Sequence, residues 1–194
     1  MNIKTPEIKN SRVTSLTRKN RIPILALGPL LARSGEAEVP IVGGDKIGVR
    51  PADFHINALR LLGAEVEVGD GGYKAKSKNG LKGARINFAY PSVGATENTI
   101  LAAVLAKGKT TISNAAVEPE VQELVKMLQK MGAIIEIGTN RMIYIEGVPK
   151  LRGTRHRVMP DRNEAVSFAS LALATNGRIK ILDAVQDHLI TFLN

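Results

Sequence analysis

The sequence predicts an α/β fold built from a repeated β-α-β-α-β-β unit of about 70 residues, with helices inside and sheets outside. Three observations carry this. Leu61-Leu62-Gly63-Ala64-Glu65-Val66-Glu67-Val68 returns in pattern as Lys130-Met131-Gly132-Ala133-Ile134-Ile135-Glu136-Ile137, and Leu81-Lys82-Gly83 returns as Leu151-Arg152-Gly153. The first helix of each copy is almost wholly apolar, as in residues 100–106 and 168–174, and a helix apolar on all sides belongs in an interior. The strand-like stretches 85–88 and 142–146 instead alternate apolar and polar residues, which suits sheets with one face in solvent.

Each element follows from its hydrophobic period and its boundary residues. The first copy reads as a helix near 22–33, a strand near 38–42, a helix near 52–62, and two strands flanking the turn Gly69-Asp70-Gly71-Gly72. The second reads as a strand over 84–89, a helix over 95–106 closed by Gly108, and a strand over 110–113. A helix over 119–131 follows, with Val121, Leu124, Val125, Leu128 and Met131 on one face, then strands over 134–137 and 142–146 about a Gly-Thr-Asn turn. A third copy begins, since residues 107–115 are echoed at 176–184. The sequence ends inside what would be that copy's second helix, so a fragment of a longer protein is expected.

Composition narrows the partners. The 194 residues are 44% apolar and 23% charged, enough for one domain or one and a half small ones. The longest apolar stretch, 22–32, is about half of what a bilayer crossing needs, and no export signal opens the chain, so a soluble, cytoplasmic protein without a membrane partner is expected. The absence of cysteine removes disulfides, thiolate metal sites and thiol nucleophiles. A net charge of +9 attracts phosphate-bearing molecules. With no Trp, three Tyr and four Phe, the aromatic platforms of a nucleic-acid binder are missing, and a small anionic substrate fits better than nucleic acid. No His, Asp and Glu spacing resembles a metal site, and no Walker or dinucleotide fingerprint occurs.

The most informative stretch is Gly43-Gly44-Asp45-Lys46-Ile47-Gly48-Val49-Arg50-Pro51-Ala52-Asp53-Phe54-His55. It leaves a strand, crosses three glycines and enters a helix with Pro51 at a first-turn position, bringing an acid, two cations and a helix start within reach of one anion. The plainer reading is a surface loop with solvated charges and Asp53 as a helix cap.

This run resembles the catalytic loop of the enolpyruvyl transferases, and among them the members acting on UDP-N-acetylglucosamine rather than on shikimate 3-phosphate. Further matches follow in order: Leu27-Gly28-Pro29-Leu30-Leu31-Ala32-Arg33, Pro91-Ser92-Val93-Gly94-Ala95-Thr96-Glu97-Asn98, Asn114-Ala115-Ala116 with Glu118-Pro119-Glu120, and Met159-Pro160-Asp161-Arg162-Asn163-Glu164. The resemblance implies an inside-out α/β barrel of six such units in two domains, with the active site between them. Residues 1–158 would be the last two units of the first domain and 159–194 the start of the second. The remaining parts of the two-domain enzyme, needed to complete the cleft, would lie outside this chain, which alone is expected to be weakly active or inactive. It implies transfer of enolpyruvate from phosphoenolpyruvate to the 3-hydroxyl of UDP-N-acetylglucosamine, in peptidoglycan synthesis, with no organic cofactor.

The resemblance also assigns roles. Asp45 takes the position of the proton donor, where most members carry cysteine. An acid donates a proton near neutrality only from a closed, partly desolvated loop. A carboxylate is also a poor nucleophile toward the epoxide fosfomycin, so resistance is expected of the whole enzyme. Arg21 and Arg50 become anion contacts. The uridine segment falls on Arg50, Pro51, Ala52, Asp53 and Phe54, and the diphosphate loop on Tyr90, Pro91, Ser92 and Val93, with His55 and Gly94 as further candidates. Tyr90 departs from a lysine found in several relatives. Plainer readings stand beside these: Arg21 as part of a solvated basic run, Ser92 as an ordinary helix cap, His55 on a helix surface, and Asp161 as a helix start. His156 and His188 read as structural. Two other classes stay open, a non-catalytic UDP-sugar or anion-binding module and a basic RNA-associated protein of similar repeated fold.

Overall fold

A computed structural model describes residues 2–5, 7–13, 15, 18–45, 48 and 51–193. They fall into two compact units, Met1–Thr154 and Arg155–Asn194.

In the first unit, α1 (Ile22–Ser34) carries Pro23 in its first turn and ends on Gly35, whose left-handed backbone (φ 76°) lets its N–H donate to the Leu31 carbonyl at 2.9 Å. β1 (Glu36–Pro40) follows, then α2 (Asp53–Leu61), β2 (Glu65–Gly69) and β3 (Gly72–Lys76). These strands make an antiparallel sheet in the order β1-β3-β2. Its inward side chains are Ala37, Val39, Val66, Tyr73 and Ala75, all buried. Its outward positions pair Glu36 and Glu65 with Lys76, and Glu38 and Glu67 with Lys74, a lysine row between two glutamate rows. Opposite charges face each other across both seams, which favours this register.

The second copy runs β4 (Arg85–Asn87), α3 (Val93–Ala103), β5 (Lys109–Ser113), α4 (Pro119–Lys130), β6 (Ile134–Ile137) and β7 (Ile143–Glu146). The element order is that read from the sequence. The strands form a second sheet in the order β4-β5-β7-β6, with β4 and β5 parallel and the other pairs antiparallel. The β6–β7 turn places Asn140 and Arg141 at positive φ (52° and 57°), the backbone that suits a tight hairpin.

The sequence repeat is also a repeat of hydrogen bonds. After α2, Gly63 (φ 92°) donates to Arg60 and Ala64 to Leu59; after α4, Gly132 (φ 97°) donates to Gln129 and Ala133 to Leu128, all at 2.9–3.0 Å. Arg60 Nη2 reaches the Val66 carbonyl and Gln129 Nε2 the Ile135 carbonyl, each at 2.8 Å. Lys82 N–H donates to Leu62, and Arg152 N–H to Met131, each at 2.9 Å. The glycine in each copy provides the left-handed residue this helix ending requires.

One apolar cluster joins the inner sheet faces to α1, α2 and α3. α3 lies deepest, with Ala95, Thr96, Asn98, Thr99, Ile100, Ala102 and Ala103 all buried. Strand burial alternates, as in β7 and the outer half of β3, so the sheets turn one face to water. The two sheets remain open, and no closed barrel forms among the described residues. β1 stops at Pro40 rather than continuing to 42, because Ile41 and Gly43 pair with Arg18 and Asn20 instead of β3.

The second unit holds α5 (Arg162–Ala174), a 3₁₀ turn (Gln186–Leu189) and the short α6 (Ile190–Leu193). Two expectations are corrected here. α5 is helical but not interior: only Ala165 is buried, while Phe168 and Leu173 are 51% and 76% exposed. The stretch echoing β5, at 176–184, forms no strand among the described residues. A strand needs a neighbour to pair with, and none stands beside it in this unit.

Candidate active site

The starts of α1, α2 and α3 meet in the first unit. Arg21 is the residue before α1, and its Nη2 donates to the Pro51 carbonyl at 3.2 Å, tying the entry of α1 to that of α2. α2 begins at Asp53 after Ala52, so Pro51 precedes the helix instead of opening it, and Asp53 lies in the first turn without serving as the cap. The Ala52 side chain is buried, and its carbonyl accepts from Ile56 at 3.1 Å. Phe54 packs edge to face on Phe88, with ring centroids 6.1 Å apart, which anchors this entry to β4.

His55 is not a surface residue: it is 4% exposed. A Cβ added at Gly94 would lie 3.3 Å from its Cε1, so the imidazole lies against the first turn of α3. Its pKa falls from 6.5 to about 4, through burial first and the nearby Arg21 charge second, with Asp53 pulling the other way. The ring is therefore neutral at neutral pH.

α3 opens with Ser92, whose Oγ accepts from Ala95 N–H at 3.3 Å. The cap reading of Ser92 is thus observed. The hydroxyl serves the helix, and the main-chain N–H groups of Val93 and Gly94 are left with no acceptor among the described residues. Pro91 is half-buried, and Tyr90 is 65% exposed. Val93 is the first helical residue and packs partly against the core.

Asp45 is exposed, in the irregular loop after β1. The base of that loop is fixed: Arg18 N–H donates to Ile41 at 2.8 Å and Gly43 N–H to Asn20 at 2.9 Å. A side chain at Gly43 would collide with the Arg18 backbone, so glycine is required for this approach. The Asp45 loop therefore rises from the residues next to Arg21. Arg50 and Lys46 lie outside the described residues.

Sequence reasoning quoted Asn98 without giving it a role. It is fully buried on α3, and its Oδ1 accepts from Gly28 N–H on α1 at 3.0 Å while its Nδ2 lies 3.4 Å from His55 Nδ1 on α2. A polar residue amid the apolar run of α3 was the available signal, since a buried amide must be bonded. Glu97 is a second such residue. Burial, and Glu120 after it, raise its pKa above the ordinary 4.5.

In the second unit, Asp161 caps α5 by accepting from Asn163 and Glu164 N–H at 2.8 and 3.3 Å, which accounts for it without a ligand. A cavity of about 240 Å³ beside it is lined by Phe168, Leu182, Val185 and His188 among others. Its walls are largely the apolar side chains that α5 and its neighbours leave uncovered. Among the described residues no group of three His, Asp or Glu could hold a metal, and no helix is long and apolar enough to cross a membrane.

Residues 3–193 match the family model of EPSP synthase (3-phosphoshikimate 1-carboxyvinyltransferase). The chain is 48% identical over 200 residues to the UDP-N-acetylglucosamine 1-carboxyvinyltransferase of Protochlamydia amoebophila, covering 100% of this chain and 43% of that protein. It is 50% identical over 174 residues to the enzyme of that name from Endomicrobium trichonymphae, covering 90% and 42%. The fold resembles the enolpyruvyl transferase NikO from Streptomyces tendae, with TM-score 0.60 and 22% identity over 74% of this chain and 35% of that one. It also resembles EPSP synthase from Acinetobacter baumannii, with TM-score 0.57 and 23% identity over 75% and 32%. The chain spans less than half the length of these curated relatives.

Proposed function

The chain belongs to the EPSP synthase family, the enolpyruvyl transferases, and from that membership we propose that it serves enolpyruvyl transfer from phosphoenolpyruvate to the 3-hydroxyl of UDP-N-acetylglucosamine. The observation that carries this reading is the identity of 48–50% to relatives bearing that activity in their names. The meeting of three helix starts with Arg21, His55 and free N–H groups suits a diphosphate. Residues 1–158 form two units of the family's first domain and 159–194 open the second, within an inside-out two-domain arrangement. The work is cytoplasmic and supports peptidoglycan synthesis and cell shape.

In this reaction the sugar hydroxyl adds to C2 of phosphoenolpyruvate while a proton reaches C3; loss of phosphate and of a C3 proton then restores the double bond. Asp45 gives the first proton, from a loop that closes to exclude water. Arg21 and Arg50 hold anionic oxygens. Pro51, Ala52, Asp53 and Phe54 face the uridine; Tyr90, Pro91, Ser92, Val93 and Gly94 face the diphosphate.

The full chain is tested by calorimetric titration with UDP-N-acetylglucosamine, followed by an assay of phosphate release on adding phosphoenolpyruvate. This chain alone is expected to bind with weak release or none; once the remaining parts of the two-domain enzyme complete the cleft, release is expected, and Asp45→Asn lowers it by about 10²- to 10⁴-fold while binding persists. Undiminished release by that variant removes Asp45 from its role. The span of only 43% of a relative's length favours a second reading, a UDP-sugar binding module, in which binding occurs without release even when those parts are supplied. RNA binding that weakens steeply with salt, with no UDP-sugar bound, overturns both. Exposure to fosfomycin followed by intact-mass spectrometry is expected to show no adduct on Asp45; an adduct there refutes the proposed resistance.

A further inference from the structure

We propose that Asn98 is a positioning residue that holds His55 as the neutral tautomer protonated at Nε2, presenting that N–H as a donor to an anionic oxygen at the start of α3. The argument begins at α1. Gly28 offers a main-chain N–H to Asn98 at 3.0 Å, and only the amide oxygen can accept it, which fixes the orientation of the Asn98 amide. The Asn98 NH₂ group then points at His55 Nδ1, 3.4 Å away. An NH₂ group has no lone pair to offer, so Nδ1 must carry the lone pair and the ring proton sits on Nε2. The bond order runs Gly28 N–H to Asn98 Oδ1, then Asn98 Nδ2–H to His55 Nδ1, leaving Nε2–H at the far end.

That far end faces a place with no acceptor of its own. Nε2 has no hydrogen-bond partner among the described residues, and it lies 3.6 Å from where a Gly94 Cβ would stand. The open N–H groups of Val93 and Gly94 are on the same turn. The imidazole as a whole is 4% exposed, yet Nε2 is not one of the buried atoms left without a partner, so an arriving oxygen can take the place of water there. Gly94 is what lets the ring approach, because a side chain there would fill the gap. Asn98 is equally confined: a Cβ on Gly28 would meet its Oδ1 at 2.5 Å. The burial that makes His55 neutral and the amide that selects its tautomer act together, so the donor stays a donor without adding a charge.

The identity of the anion rests on the proposed function; the tautomer does not. Long-range nitrogen–proton NMR on the full, unmodified chain reads the tautomer directly. The expected result is a pyridine-type Nδ1 and a pyrrole-type Nε2 for His55, and the reverse overturns the assignment whatever the chain binds. Asn98→Asp keeps an acceptor for Gly28 but presents a carboxylate to Nδ1, drawing the proton there. With UDP-N-acetylglucosamine as the probe, it should weaken binding about tenfold or more. An Asn98→Asp chain whose tautomer has switched but whose affinity has not changed overturns the positioning role. Nε2 protonation in an unmodified chain that binds no UDP-N-acetylglucosamine upholds the tautomer and counts against the ligand.

Discussion

α3 and α5 are built from nearly the same kind of sequence, yet one is a core helix and the other is bathed in solvent. Both open with a side-chain cap, Ser92 in one and Asp161 in the other, and both continue into an apolar run. Ile100 on α3 is fully buried, whereas Leu171 on α5 is 57% exposed. The difference lies in what surrounds them. α3 has α1, α2, α4 and the second sheet packed about it, while α5 in its own unit contacts the 3₁₀ turn. Capping and helix propensity are local and act in both places; burial is a property of neighbours. The strands make the same point more sharply: residues 109–113 form β5 between β4 and β7, and the matching stretch near 178–182 forms none.

The largest test of this contrast is truncation of one apolar residue in each helix. Ile100→Ala should cost about 2–5 kcal/mol in chemical denaturation, and Leu171→Ala within about 0.5 kcal/mol. Equal costs would show that α5 is covered in solution. Next is acid. Because the folded His55 pKa is below the ordinary 6.5, the unfolded chain binds more protons between 6.5 and about 4. The stability tied to this group is complete above that window and lost as pH falls through it, about 3 kcal/mol in all. His55→Gln should flatten that part of the stability profile; an unchanged slope would place the sensitivity elsewhere.

Smaller effects refine the comparison. Ser92→Ala and Asp161→Ala should each cost about 1 kcal/mol of local helix stability. Hydrogen exchange should show α3 amides opening only with the whole unit and α5 amides opening on their own; matched protection in both helices would contradict the contrast. The smallest effect is at Glu97, whose raised pKa makes its ionisation unfavourable in the folded chain. Stability from this group is lost as pH rises past the ordinary carboxylate range, so Glu97→Gln should raise Tm at neutral pH and leave it unchanged in acid. A lower Tm at neutral pH would mean that the carboxylate is needed.

Much of this architecture could be read from residues alone. The pairs Gly63 and Gly132, and the elements from β4 to β7, follow from period and punctuation because those signals are local. What escaped was set by distant partners. Pairing with Asn20 and Arg18 ends β1 early, and no window of sequence contains both sides. His55 looked like a surface histidine as much as a ligand contact, because its burial depends on Gly94 and Asn98 some forty residues away. The acid of the glycine loop stood out beside its cations and helix start, but the proton-donor role of Asp45 came only through resemblance to a family, since the same residues also read as a solvated loop.

The outward face of the first sheet has a consequence for how the molecule meets its surroundings. There, four carboxylates enclose two ammonium groups, and Arg12 and Lys78 pair with Glu38 and Glu65 beside them, so this broad panel is close to neutral although the protein as a whole is strongly basic. The surplus cationic charge must reside on other parts of the surface. The electric field is therefore uneven, and a negatively charged metabolite drifting nearby would be drawn past the panel toward the basic remainder of the surface.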